Sequence, residues 1–169
     1  MEPHVTKLDY QTDPIRLKAD LDNLLSNNGL VDDTLAFVEV NESLKGTYFE
    51  EIILHFSEYT RWRLLKLASR TNYSIHTDST KNKENPRIHI PILTNPDAYL
   101  MFFDSETRNA ERTQPDMFHL EVGKTYLLNA MNLHSAINFG NTDRYHIVGA
   151  KYEDKRFSDV VSSTSQGHY

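Results

Sequence analysis

Apolar residues follow two spacing regimes along this chain, and the change comes near Arg61. Before it the spacing is helical. Asp13-Pro14 offers an N-cap and a first-turn proline, Leu17, Leu21, Leu24 and Leu25 recur at three- and four-residue intervals, and Asn27-Asn28-Gly29 supplies a left-handed stop. Thr47-Tyr48-Phe49-Glu50 has the form of a capping box, and Phe49, Ile52, Ile53 and Phe56 follow on one helical face. Between these helices the apolar run 35–40 predicts a short strand.

After Arg61 the period falls to two. Eight short strands are predicted, over 61–67, 73–78, 87–93, 98–103, 117–120, 125–129, 133–139 and 144–150. Turn signals such as Asn95-Pro96-Asp97, Val122-Gly123-Lys124 and Gly140-Asn141-Thr142-Asp143 separate most of them. Many short strands after two helices predict a mainly β fold with N-terminal helices, a jelly roll braced on one side. One domain over 1–169 is expected: a helical support region over 1–60, a strand core over 61–152, and a Ser-rich tail over 153–169. The loops over 79–86 and 104–116 are expected to rim a pocket.

Composition narrows the function. A net charge of −6 argues against a nucleic-acid groove. Cysteine is absent, which removes disulfides, thiolate metal sites and a cysteine nucleophile. Residues 1–10 are polar without a signal-type apolar core, and no stretch approaches the ~20 apolar residues of a membrane span. The expected setting is cytoplasmic, with neither membrane nor nucleic acid as partner.

Candidate chemistry lies between His76 and Tyr152. His76-Thr77-Asp78, followed by a distant His134, supplies two imidazoles and a carboxylate, a set that holds a divalent iron on one face and leaves the other open for oxygen and an organic ligand. Arg144, ten residues after His134, suits a dicarboxylate co-substrate such as 2-oxoglutarate, because its fork binds a carboxylate with two parallel hydrogen bonds. On a strand, His76 and Asp78 would point to the same face. Were 133–139 and 144–150 a simple hairpin, Arg144 would lie roughly 10–17 Å along the ladder from His134. Arg87 and His89 share one strand face opposite Ile88, Ile90 and Ile92. That pattern fits a half-solvated strand, and equally a barrel with a polar interior and its apolar side against helices. His146 shares a face with Arg144 and is a further candidate to line the pocket. His119-Leu120-Glu121 is a rival His-x-carboxylate pair, but at the comparable distance beyond it the only histidine is His168, in a polar tail.

Over about 90 residues these pieces resemble the aspartyl/asparaginyl β-hydroxylase family, which includes bacterial proline hydroxylases of the cis-4 type. The resemblance rests on Leu64-Leu65-Lys66-Leu67 followed by Tyr73-Ser74-Ile75-His76-Thr77-Asp78, on Arg87-Ile88-His89-Ile90, on Glu121-Val122-Gly123-Lys124, and on the spacing of His134 and Arg144. It implies a double-stranded β-helix of cupin-like type. It implies Fe(II) on His76, Asp78 and His134, and 2-oxoglutarate with its distal carboxylate on Arg144 and with Arg87 and His89 helping to seat it. The animal aspartyl hydroxylases have glycine where this chain has Asp78 and a serine where it has Leu65, so the full triad sets it nearer the bacterial amino-acid hydroxylases. The expected activity is an Fe(II)/2-oxoglutarate-dependent dioxygenase that consumes O2, releases succinate and CO2, and hydroxylates a free amino acid such as proline or an Asp, Asn or Pro side chain of a peptide. A non-catalytic barrel module and a cupin-type metal enzyme without 2-oxoglutarate are the alternatives.

Overall fold

The computed structural model describes residues 4–28, 34–37, 44–78, 86–103 and 114–150. Along these run β1 (Val5–Gln11), α1 (Pro14–Asn28), β2 (Thr34–Phe37), α2 (Tyr48–His55), β3 (Thr60–Leu67), β4 (Thr71–Asn72), β5 (Pro86–Leu93), β6 (Ala98–Phe102), β7 (Asp116–Phe118), β8 (Lys124–Asn129), β9 (His134–Asn138) and β10 (Arg144–Ala150). The strands form two antiparallel sheets, a major one in the order β1-β8-β5-β10-β3-β2 and a minor one in the order β4-β9-β6-β7. This is a double-stranded β-helix with helices on one side, as the strand spacing predicts.

Both helices start where the sequence says they do. The Asp13 carboxylate accepts from the Ile15 and Arg16 amides at 2.9 and 3.3 Å. Thr47 Oγ1 accepts from the Glu50 amide at 3.2 Å. The return bond of the capping box is displaced by one residue: the Glu50 carboxylate accepts from the Gly46 amide at 2.7 Å, because the Thr47 amide already donates to Leu44 O. The expected helix stop at Gly29, most of both loops expected to rim the pocket, and the C-terminal tail lie outside the described residues.

β1 escapes the period-two reading. Its sequence, VTKLDYQ, is polar, yet it pairs with β8 from Val5↔Leu128 to Gln11↔Lys124. Edge strands need only one partner and can be largely polar. Among the described residues no helix is long and apolar enough to cross a membrane.

Two apolar clusters divide the interior. In the first, Leu17, Leu21, Phe49 and Ile52 of the helices pack against Leu64, Ile88, Ile90, Ile92 and Ile147 of the major sheet. In the second, Leu67, Leu100, Phe102, Tyr126, Leu128 and Ala136 pack between the sheets. The isoleucine face of β5 is therefore turned to the helices, and Arg87 and His89 are turned into the barrel. This decides the question left open by the sequence in favour of a polar interior.

Pro91 sits inside β5, flanked by β8 and β10. A proline has no N–H for the ladder. The register with β10 accordingly shifts, from Tyr145↔Leu93 to His146↔Pro91.

Gly149 of β10 lies under the Trp62 ring, and a Cβ there would stand 2.8–2.9 Å from three of its carbons. Trp62 is buried and its indole N–H donates to Tyr59 O at 3.1 Å, which limits its retreat. Gly149→Ala is expected to cost about 1–3 kcal/mol by overpacking. The check is a lower urea midpoint at an unchanged m-value.

Candidate active site

His76 and Asp78 stand on an irregular segment rather than on the strand predicted over 73–78. Only Thr71–Asn72 forms a ladder with β9. Beyond it the chain follows β9 through separate bonds, the first from the Tyr73 amide to Ala136 O at 2.9 Å. His76 and His134 then exchange both backbone N–H···O bonds, at 2.9 and 2.8 Å. In a regular ladder Asp78 would next face Asn132. Its amide instead donates to Ala130 O at 2.9 Å, because residues 129–132 form a turn closed by the Asn132 amide on Asn129 O.

The exchanged pair sets the two imidazoles on one face, with ring centroids 4.5 Å apart. Phe102 stacks on the far side of His134 at 5.6 Å. One ligand atom from each of His76, Asp78 and His134 lies within 4.8 Å of the others. His76 is the most open of the three, its side chain 42 % exposed.

The tautomers of both rings follow from their neighbours. His76 Nδ1 is 2.7 Å from Ser74 O, and His134 Nδ1 is 2.8 Å from Asn132 O. A carbonyl oxygen only accepts, so each Nδ1 carries the proton and each neutral ring presents a bare Nε2. These Nε2 atoms face the Asp78 carboxylate at 3.6 and 3.5 Å. Two lone pairs and a carboxylate directed at one another repel unless a cation lies among them. Backbone carbonyls on the outer nitrogens are also the usual orienting contact of metal-bound histidines. The donor set fits a divalent metal.

Asp78 is kept ionised. Burial alone would raise its pKa, but the charge of Arg87 helps to hold it below the usual carboxylate value. Arg87 Nε stands 2.9 Å from Asp78 Oδ2, in ion-pair range, yet its N–H makes no aligned hydrogen bond.

A cavity of about 330 Å³ opens at this cluster. Arg63 and Leu65 of β3, Arg87 and His89 of β5, and Arg144 of β10 line its major-sheet wall, and Leu100, Phe102 and His134 line the other. β9 and β10 belong to different sheets, so the hairpin geometry considered from sequence does not apply. The turn between them carries the chain across the barrel, and His134 and Arg144 approach one cavity from opposite walls.

Arg144 is 2 % exposed, and its Nε has no hydrogen-bond partner. Burial lowers its pKa to about 10, which leaves it cationic at neutral pH. His89 and His146 are both pushed well below the ordinary histidine value, first by burial and then by the Arg144 charge.

The six residues singled out by sequence thus meet in one cavity. His119 does not join them: its Nδ1 lies 3.1 Å from Ala98 O, and Glu121 stands 3.9 Å from Lys7 Nζ. Sequence reading missed Phe102 and the Ser74 and Asn132 carbonyls. An aromatic in a strand resembles any core residue, and a carbonyl has no sequence signal.

No family model matches this chain, and no curated protein does. Solved structures do match in fold. EvdMO1 superposes with a TM-score of 0.65 at 14% identity over 90% of this chain, which spans only 48% of that protein. HygX from Streptomyces hygroscopicus, solved with nickel and 2-oxoglutarate bound, gives 0.61 at 8% identity, over 87% of this chain and 81% of that one. A Pseudomonas putida prolyl-4-hydroxylase gives 0.58 at 9% identity, over 87% and 91%. The likeness establishes the shared double-stranded β-helix. It does not single out the aspartyl/asparaginyl hydroxylase branch.

If the triad holds a metal, Mn(II) should raise the melting temperature of the parent, and His76→Ala, Asp78→Ala and His134→Ala should each lose most of that gain while remaining folded. A thermal-shift titration reads this directly. An undiminished Mn(II) shift in His134→Ala counts against the site.

Proposed function

We propose that this chain is an Fe(II)/2-oxoglutarate-dependent oxygenase that hydroxylates an unactivated C–H. The observation that carries the reading is a buried guanidinium with an unspent N–H in the same cavity as an N,N,O donor set. A buried cation without a partner is costly. A carboxylate supplied by a ligand offsets that cost, and a dicarboxylate in the same cavity offers a second end to the metal. The bound nickel and 2-oxoglutarate of HygX, on the same fold, support the pairing.

His76, Asp78 and His134 would hold the iron through two Nε2 atoms and a carboxylate oxygen. When bound, iron and 2-oxoglutarate supply the oxidative chemistry, coupling O2 consumption and decarboxylation to succinate with hydroxylation of the substrate. The chain's own work is to bind, orient and shield. Arg144 receives the distal carboxylate in its fork, and His89 and Arg87 seat the co-substrate from the neighbouring strand. Arg87 also holds Asp78 ionised. Leu65, Leu100 and Phe102 keep the walls apolar and exclude water.

The substrate we favour is a small carboxylate-bearing molecule, a free amino acid such as proline, ahead of an Asp, Asn or Pro side chain in a peptide. Arg63, Arg87, Arg144 and His89 give the described cavity polar groups of the kind that fix the carboxylate or amine of a small ligand. The cavity volume of about 330 Å³ leaves limited room beside a co-substrate. The test is Fe(II)-dependent succinate release measured against each free amino acid and, separately, against a peptide library. No Fe(II)-dependent succinate with any of them would overturn the oxygenase reading, and turnover with peptides alone would overturn the substrate.

Arg144→Lys should not be conservative, because a lysine cannot make the bidentate pair. Loss of a buried charged partner costs about 2–5 kcal/mol in comparable complexes. Isothermal titration of the Mn(II)-loaded protein should show 2-oxoglutarate affinity at least tenfold weaker, with Mn(II) affinity intact.

A further inference from the structure

His146 is buried and, unlike Arg144, is not among the residues that line the cavity. It shares the inward face of β10 with Arg144 and falls where the register shifts opposite Pro91. It is 1 % exposed, and its Nδ1 faces His89 Nδ1 at 3.4 Å. The two rings meet edge to face, with an interplanar angle of 89°. His146 Nε2 is buried with no partner, whereas the His89 ring lines the cavity.

Burial and the Arg144 charge keep both rings neutral, so two protons are shared among four nitrogens. Only one N–H fits between the facing Nδ1 atoms. If His89 donated it, the proton of His146 would sit on Nε2, a buried N–H with no acceptor. His89 would then turn a bare nitrogen toward the cavity. If His146 donates it, the orphaned Nε2 is an acceptor, which is tolerated better than an orphaned donor. The His89 proton then resides on Nε2 and is free to be donated to a ligand.

We infer that His146 is a positioning residue that fixes His89 in its Nε2–H tautomer, making His89 a hydrogen-bond donor to an anionic group in the cavity. This rests on the reading that 2-oxoglutarate binds there. The tautomer itself can be read without any ligand.

The experiment uses ring-nitrogen NMR of the full chain labelled with ¹⁵N-histidine, metal-free, together with calorimetry of the Mn(II)-loaded protein. In the parent, His89 should be protonated at Nε2. His146→Asp puts an acceptor where Nδ1 donates, so His89 should move to the Nδ1–H form, and 2-oxoglutarate affinity should fall about tenfold with Mn(II) affinity unchanged. His146→Asn keeps an N–H near the position of Nδ1 and should hold both readouts at the parent's values, which a merely space-filling role would not allow. An Nδ1-protonated His89 in the parent overturns the assignment even if no variant folds. So does an unchanged tautomer in His146→Asp. If the parent shows the Nε2–H form but binds no 2-oxoglutarate, the co-substrate reading fails and the tautomer assignment stands.

Discussion

The reciprocal backbone bond between His76 and His134 is the constraint on which the site depends. Side chains of an isolated imidazole pair would sample several rotamers, each held at an entropic cost. Here the main chain sets both Cβ positions through one hydrogen-bonded pair, and the Ser74 and Asn132 carbonyls set both rings. Phe102 closes the remaining side of His134. Asp78 then arrives through its own amide bond to Ala130, so each of the three donors is anchored by backbone within two residues of itself. The three donor groups are thus held in place by the main chain itself, with no metal needed to gather them.

The opposite wall is tied to this one by Asn138. It is fully buried at the end of β9, where the chain leaves one sheet for the other. Its amide donates to Leu67 O, Ala68 O and Thr142 O, while its oxygen accepts from Asn95 Nδ2 and the Gly140 amide. One side chain thus stitches β3, β9, the 95–97 turn and the crossing turn together. Lys66 and Asp143 add an ion pair at 3.1 Å just before β10 begins. The ten-residue spacing of His134 and Arg144 is the length of this crossing: five residues of β9, a turn pinned by Asn138, and the first residue of β10.

Much of this was legible in sequence, for physical reasons that differ by element. Asp13-Pro14 and Thr47 mark helix starts because capping is local chemistry. β3 and β6 are legible because burying one face imposes a period of two, and β5, buried on both faces, because its two faces differ in polarity. Isoleucines at 88, 90 and 92 told of a buried face, but whether Arg87 and His89 opposite them met water or a barrel interior depends on a second sheet that pairs nowhere near them in sequence. β1 and the irregular path through 73–78 were missed for related reasons. An edge strand need not be apolar, and the path of residues 73–78 is dictated by the turn at 129–132. His134 and Arg144 could be named from their spacing, yet placed on a hairpin ladder they would have stood on one wall. The buried Asn138, an ordinary polar residue in the sequence, pins the turn that carries the chain from one wall to the other.

The polar interior carries a thermodynamic consequence for how fold and ligand are linked. Arg144 stays charged while buried, His89 and His146 are held neutral below their ordinary value, and Nε nitrogens of two arginines have no hydrogen-bond partner. Each of these opposes folding of the empty protein. An apolar barrel of the same size would be more stable, and natural binding sites commonly show this trade. The strain is directional. The charged groups on the β3–β5–β10 wall of the cavity are all cations, and the opposing cluster presents lone pairs and a carboxylate. A ligand that is anionic at one end and chelated by a cation at the other relieves both walls at once, whereas either component alone relieves only one. On the proposed reading, metal and dicarboxylate should therefore bind with positive coupling, each raising the affinity for the other by the same factor. The physical origin is the opposition of a donor-rich wall and an acceptor-rich wall across one cavity, and that opposition exists only because β9 and β10 part into separate sheets.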